Sequence, residues 1–169
     1  MSTVVLHGRG LVGGVVEGEA LVTTHGISGW GGIEPREGKV IESRHELVGQ
    51  SFAGKVLVFP GAKGSSGWSG MFHTSRLMGS APKAMIFNYM NTKIALGIVV
   101  THLPSVTDLD QDPLTVISTG DWVRVDADAG IVTVTKAVPE VPAGAPPRSD
   151  SSTGPVPAGV FTFDREDPL

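Results

Sequence analysis

A chain of 169 residues, 40% of them hydrophobic, is long enough for one globular domain with a buried core. Its net charge of −4 leaves no basic block to neutralise phosphates, which argues against a nucleic-acid partner. The sequence contains no cysteine, so disulfides, thiol nucleophiles and any thiolate or iron–sulfur site built from this chain alone are excluded. No apolar run approaches the ~20 residues of a membrane span, and no signal-peptide pattern opens the sequence; the expected localisation is cytoplasmic, with no membrane partner.

Glycine at 23 residues and proline at 12 favour turns and short strands over long helices. The opening "TVVLHGRGLVGGVVEGEALVTTHGIS" sets β-branched residues among glycines and predicts two or three short strands. "GWGGIEPREGKVIES" reads as a loop, with turns at Pro35 and Gly38, that re-enters a strand at Lys39–Ile41. A further turn in "HELVGQSFAGKVLVFP" leads into a strand over Lys55–Pro60. Trp68, Met71, Phe72 and Ser75 then recur at i, i+3, i+4 and i+7, which predicts a helix ending near Gly79. "KAMIFN" reads as a buried strand, Asn91 or Thr92 as the cap of a short helix through Leu96, and "GIVVTH" as a strand again.

In "TDLDQDP" the aspartates 108, 110 and 112 alternate as in a calcium loop. Pro113 and Thr119 stand where an EF-hand needs glycine and glutamate, so this is a solvated acidic turn. "GDWVRVDADAGIVTVTK" is a hairpin with strands Trp122–Val125 and Ile131–Thr135. The histidines at 7, 25, 45, 73 and 102 show no ligand spacing and are expected on the surface or in structural hydrogen bonds; no metal site is expected. From Ala137 the composition shifts, with seven of the twelve prolines in 137–169. The expectation is a β-rich α+β domain over 1–136 with one strong helix, and a proline-rich tail over 137–169 whose apolar "VFTF" could dock.

The stretch "GAKGSSGWSG" at 61–70 carries a glycine at every third position and three serines behind an apolar strand. Strand, glycine-rich turn and helix in succession aim free N–H groups and the positive end of a helix dipole at one point, which suits a carboxylate or phosphate. The stretch meets neither GxxxxGK[ST], nor GxGxxG, nor GxSxG. Spacing alone leaves two readings open, an anion-binding turn or a structural turn with capping serines.

Several blocks in the same order over roughly residues 5–136 resemble the small-subunit, swivelling-domain proteins of the aconitase X family. They are "GISGWGGIEPREGKVIESRHELVGQSFAGKVLVFP", "GAKGSSGWSG", "APKAMIFN", "ALGIVVTHLP" and "TGDWVRVDADAGIVTV". The resemblance implies a swivelling β/β/α, barrel-like domain similar to domain four of aconitase. It also implies half of a hydro-lyase (dehydratase), inactive alone, whose large-subunit partner carries an iron–sulfur cluster and over which this chain closes. In such enzymes the first serine of the motif, as alkoxide, takes the proton α to a carboxylate, and the cluster iron polarises the departing hydroxyl.

Carried over, the base is Ser65, and Ser66, Gly64, Lys63, Gly67 and Ser69 hold the substrate carboxylate, with Ser66 and Ser69 also placed to cap the helix. The implied substrates are small hydroxy acids, cis-3-hydroxy-L-proline in bacteria and mevalonate 5-phosphate in archaea. Two departures stand out. Gly67 occupies the place of an aconitase arginine, and Trp68 replaces a small residue, either narrowing the pocket or packing in the core. Two other classes stay open: a phosphohistidine swivelling carrier using His73, and a non-catalytic β-rich partner module.

Overall fold

Residues 1–138 are described by a computed structural model; the tail beyond Val138, with its VFTF patch, lies outside the described residues. In chain order the strands are β1 (Thr3–His7), β2 (Arg9–Val12), β3 (Val15–Val22), β4 (Ile27–Ser28), β5 (Ile33–Glu34), β6 (Lys39–Val40) and β7 (Val56–Phe59). After β8 (Ala62–Lys63) come helix α1 (Trp68–Leu77), β9 (Ala84–Phe87), α2 (Thr92–Thr101), β10 (Ser105–Thr107), α3 (Pro113–Val116), β11 (Trp122–Asp126) and β12 (Ile131–Thr135). The domain is β-rich α+β, as the sequence implies.

Eight strands form one sheet in the order β1-β12-β11-β3-β7-β9-β10-β2. Its two end strands, β1 and β2, are separated in the chain by Gly8 alone, so the sheet curls until its ends approach each other. Only glycine fits that crossing: a Cβ on Gly8 would sit 2.6 Å from the carbonyl oxygen of Thr107. The long strand β3 joins the halves, antiparallel to β11 through its first residues and parallel to β7 through its last.

The central strands are buried on both faces and divide their side chains between two cores. Leu57, Phe59, Met85 and Phe87 point to one core shared with α1 and α2. Val58, Ala84 and Ile86 point to the other, which Leu6, Val123, Val125, Val132 and Val134 fill from the hairpin side. At the end of β12, Lys136 Nζ and the amide of Ala137 close on the buried Asp121 carboxylate at 2.8 and 2.9 Å. Burial alone would raise the Asp121 pKa, but these bonds and the Ser118 amide lower it overall. No helix among the described residues is long and apolar enough to cross a membrane.

The strand expected over "GIVVTH" is a helix, because α2 continues from its Asn91 cap to Thr101. Asn91 Oδ1 accepts the Ile94 amide at 3.1 Å, and Ile94, Gly97, Ile98 and Thr101 make a buried stripe against α1. That packing overrides the strand preference of Ile98, Val99 and Val100. With α3, capped by Asp112, the described residues hold three helices where the sequence predicts two, the helix from Trp68 and a short one through Leu96. The remaining aspartates of the acidic turn are exposed; Asp108 pairs with Arg9 at 2.8 Å, and Asp110 accepts the His7 amide at 3.0 Å.

Two glycine substitutions in helices should have opposite signs. Gly97→Ala places a methyl inside the van der Waals shell of Trp68 Cζ3, which should cost about 1–3 kcal/mol as overpacking. Gly70 in α1 has open space around it, so Gly70→Ala should gain about 0.5–1 kcal/mol. Urea unfolding of the two variants against wild type measures both signs; equal shifts would contradict this packing.

Candidate functional site

The Gly–Ser turn does not run straight from strand β7. After Pro60 the chain detours through β8, which pairs in parallel with β4 in the register Ile27↔Ala62 and Ser28↔Lys63. This two-residue ladder carries residues 64–67 to the rim of the domain, beside the loop Ser28–Gly32. A Cβ on Gly64, whose φ is +85°, would lie 3.2 Å from Ser28 Oγ. A Cβ on Gly67 would lie 3.5 Å from Ser65 Oγ and 3.9 Å from Trp30 Cβ. The structure therefore brings Ser28, Trp30, Gly64, Ser65 and Gly67 together, and neither Ser28 nor Trp30 is among the candidate site residues carried over from the family. The only signal for them was the glycine cluster in "GISGWGG".

Lys63, Gly64, Ser65, Ser66 and Gly67 are all exposed, and Gly67 is the N-cap of α1 with no side-chain cap. Neither Ser66 nor Ser69 caps, because the cap position itself has no side chain. Ser65 contributes its carbonyl instead, accepting the Trp68 amide at 3.3 Å. Among the described residues, no acceptor takes the amides of Ser65, Ser66, Gly67, Ser69 or Gly70. These N–H groups and the positive end of α1 form an open anion-facing corner. Ser69 is buried on the inner side of α1, so it meets this corner through its amide rather than its hydroxyl. Lys63 Nζ lies 2.8 Å from Glu42 Oε1, its charge already paired.

Trp68 is wholly buried and is a core residue rather than a pocket wall. Its indole stacks on Phe59 at 6.4 Å between centroids and meets Phe72 at 4.3 Å, and its Nε1–H donates to the Ile27 carbonyl at 2.9 Å. That last bond ties the start of α1 to β4. It is why the two loops sit side by side.

Comparison with known proteins decides the family. The Aconitase X swivel domain family matches residues 5–134. This chain belongs to the aconitase X swivel-domain family. It is 40% identical over 129 residues to the phosphomevalonate dehydratase small subunit of Thermococcus kodakarensis, covering 76% of this chain and 95% of that one. The protein of the same name from Archaeoglobus fulgidus is 42% identical over 124 residues, 73% of this chain and 93% of its own. A crystal structure of Thermococcus kodakaraensis aconitase X in its holo-form superposes with a TM-score of 0.74 at 39% identity, covering 78% of this chain and 98% of the other. The relatives are thus named as small subunits of a dehydratase. The carrier reading loses its support: His73 is exposed in the second turn of α1, beyond the helix-start amides a phosphate would need.

Behind the aconitase X corner lies a polar cluster. His45 is buried, with Nδ1 accepting the Leu47 amide at 3.1 Å, which leaves Nε2–H to donate to the Gly26 carbonyl at 3.2 Å. His25 packs edge-on against it at 5.2 Å, and Glu46 accepts from Thr23 and from the Thr24 amide. A cleft of about 770 Å³ exists at the other end of α1, lined by Arg76, Lys83 and His102 among others, and none of the candidate residues borders it.

Burial holds the His45 pKa below its ordinary value of 6.5, against an opposing pull from the Gly26 carbonyl. The unfolded chain therefore takes up the proton first as pH falls. The contribution of His45 to stability is complete above about pH 6.5 and is lost as pH drops through that value towards the lower folded one. Urea midpoints measured from pH 7.5 to 5 should fall, and His45→Gln should flatten that slope. An unchanged slope would place the titration elsewhere.

Proposed function

We propose that this chain is the small subunit of an aconitase X-type dehydratase in which Ser65 is the base that removes the proton α to a substrate carboxylate. The observation that carries this reading is the exposed corner at residues 64–70, where a serine hydroxyl and unpartnered amides meet at a helix start. The cluster implied by the family does not fit this chain, which has no cysteine and, among the described residues, no group of three potential metal ligands. A large-subunit partner is the proposed holder of the iron–sulfur cluster.

The work of this chain is binding and proton transfer. The substrate carboxylate accepts hydrogen bonds from the Ser66 hydroxyl and from the amides of Gly67, Ser69 and Gly70. Gly64 permits close approach, while Lys63 stands at the edge of the corner with its charge paired by Glu42. Ser65, the first hydroxyl of the turn, takes the α-proton as its alkoxide; the hydroxyl on the neighbouring carbon departs with the C–O electron pair, and return of that proton from Ser65 makes it water and restores the alkoxide. A serine hydroxyl standing in water is far too weakly acidic to serve as this base. Its alkoxide becomes accessible only once the corner is dry and its dipoles act at low dielectric. The isolated chain should therefore fold and show no dehydratase turnover.

Both substrates implied by the family are 3-hydroxy acids. We favour mevalonate 5-phosphate over cis-3-hydroxy-L-proline, because relatives aligned over about three-quarters of this chain carry the former in their names. Assay of the reconstituted two-subunit enzyme on both acids separates them. In that enzyme Ser65→Ala should lower kcat by ~10³-fold or more with little change in KM, the scale of a lost proton-transfer group in a preorganised site. Ser66→Ala should raise KM instead. If Ser65→Ala keeps more than about a tenth of wild-type kcat, another residue is the base.

A further inference from the structure

Trp30 has no function within its own chain. It lies between Gly29 and Gly31 on the loop from β4 to β5, and at 75% exposure it is the most exposed aromatic residue among those described. Its ring pairs with no other aromatic ring, and among the described residues its indole N–H finds no acceptor. A large amphipathic ring with a free N–H is the kind of side chain enriched at interfaces.

The loop that displays it is nevertheless held firmly. The amides of Gly32 and Ile33 both donate to the Gly29 carbonyl, at 3.1 and 3.2 Å, and the Ile41 amide donates to the Gly32 carbonyl at 2.9 Å. Gly29 itself rests on α1, since a Cβ there would lie 2.5 Å from Trp68 Cα. A bulky aromatic side chain on a pinned backbone loses little entropy when it is covered, which is the character of an interface anchor. Its position is equally specific: a Cβ on Gly67 would lie within 4 Å of both Ser65 Oγ and Trp30 Cβ, so the two residues share one rim. Resting on the reading that a large subunit closes over Ser65, any surface that dries Ser65 must also cover Trp30.

We propose that Trp30 is the anchor by which this chain docks on its large-subunit partner. Its indole enters an apolar socket that offers an acceptor to Nε1–H, at the edge of the substrate site. The contact that holds the subunits together then also shuts water out of the corner at Ser65.

Calorimetric titration of the purified large subunit with the full-length chain tests this, using wild type, Trp30→Ala and Trp30→Phe. Because Trp30 is exposed, both variants should melt within a few degrees of wild type. Trp30→Ala should weaken Kd by at least about 30-fold, the scale of an interface hot spot, while Trp30→Phe keeps most of the affinity. A Kd for Trp30→Ala within about threefold of wild type overturns the proposal. So does a variant that binds normally but shows a raised KM in the reconstituted enzyme, which would make Trp30 a substrate wall. A wild-type chain that fails to bind the large subunit overturns the dehydratase-subunit reading as well, and thereby separates the two failures.

Discussion

The buried indole of Trp68 links the central sheet, helices α1 and α2 and strand β4 at one point. It fills the space between Phe59 on the central sheet and Phe72 on its own helix, and its far edge occupies the notch left by Gly97 on α2. Its single polar atom reaches the Ile27 carbonyl, so the first residue of α1 is bonded to β4 as well as packed in the core. An aromatic ring with a satisfied N–H in a dry site is among the largest single contributions a core residue makes. Here the same contacts set the position of a helix start, which is the part of a helix that meets anions.

The corner at residues 64–67 follows from that placement. The β4–β8 ladder is two residues long on each side and would be negligible alone. The Trp68–Ile27 bond and the close approach of Gly29 to the Trp68 backbone hold the same two segments together from the inner side. The chain can therefore leave its outer side uncapped. Gly67 at the cap position forgoes only roughly a few tenths of a kcal/mol relative to serine or aspartate, and the exposed amides stay free for a ligand.

Much of this was legible in the sequence, and the misses have physical reasons. Most strands of the large sheet were readable because β-branched residues alternate or run between glycine and proline punctuation, as in "KVLVFP" and "KAMIFN"; β10 at Ser105–Thr107 was not, since the strand was placed on "GIVVTH" instead. The helix from Trp68 was readable from its apolar stripe. The second helix was cut short at Leu96 because Ile98, Val99 and Val100 favour strands; the deciding facts were the Asn91 cap and the fit of Gly97 against Trp68, a contact between residues 29 apart. The role of Trp68 could not be settled from spacing, since a tryptophan beside a ligand turn looks the same whether it faces in or out. Ser28 escaped because its meeting with Gly64 depends on a parallel ladder of two residues, too short to leave a pattern. The closure of the sheet across Gly8 was unreadable for the same reason: strands adjacent in sequence end at opposite ends of the sheet order.

A division of labour between two chains is compatible with this architecture because the fold does not depend on the site. Both faces of the central strands are filled by separate cores, and the corner projects from the rim, so its free amides and hydroxyls cost the isolated domain little while water serves them. The same groups change character when a partner surface removes that water. Their interaction with a carboxylate or alkoxide strengthens as the local dielectric falls, and no reorganisation is needed because Trp68 and Gly29 already hold the two loops in register. On the proposed reading, docking and activation of the corner are one event: Ser65, inert on the free subunit, becomes basic only where the second chain, with the substrate between them, keeps the site dry.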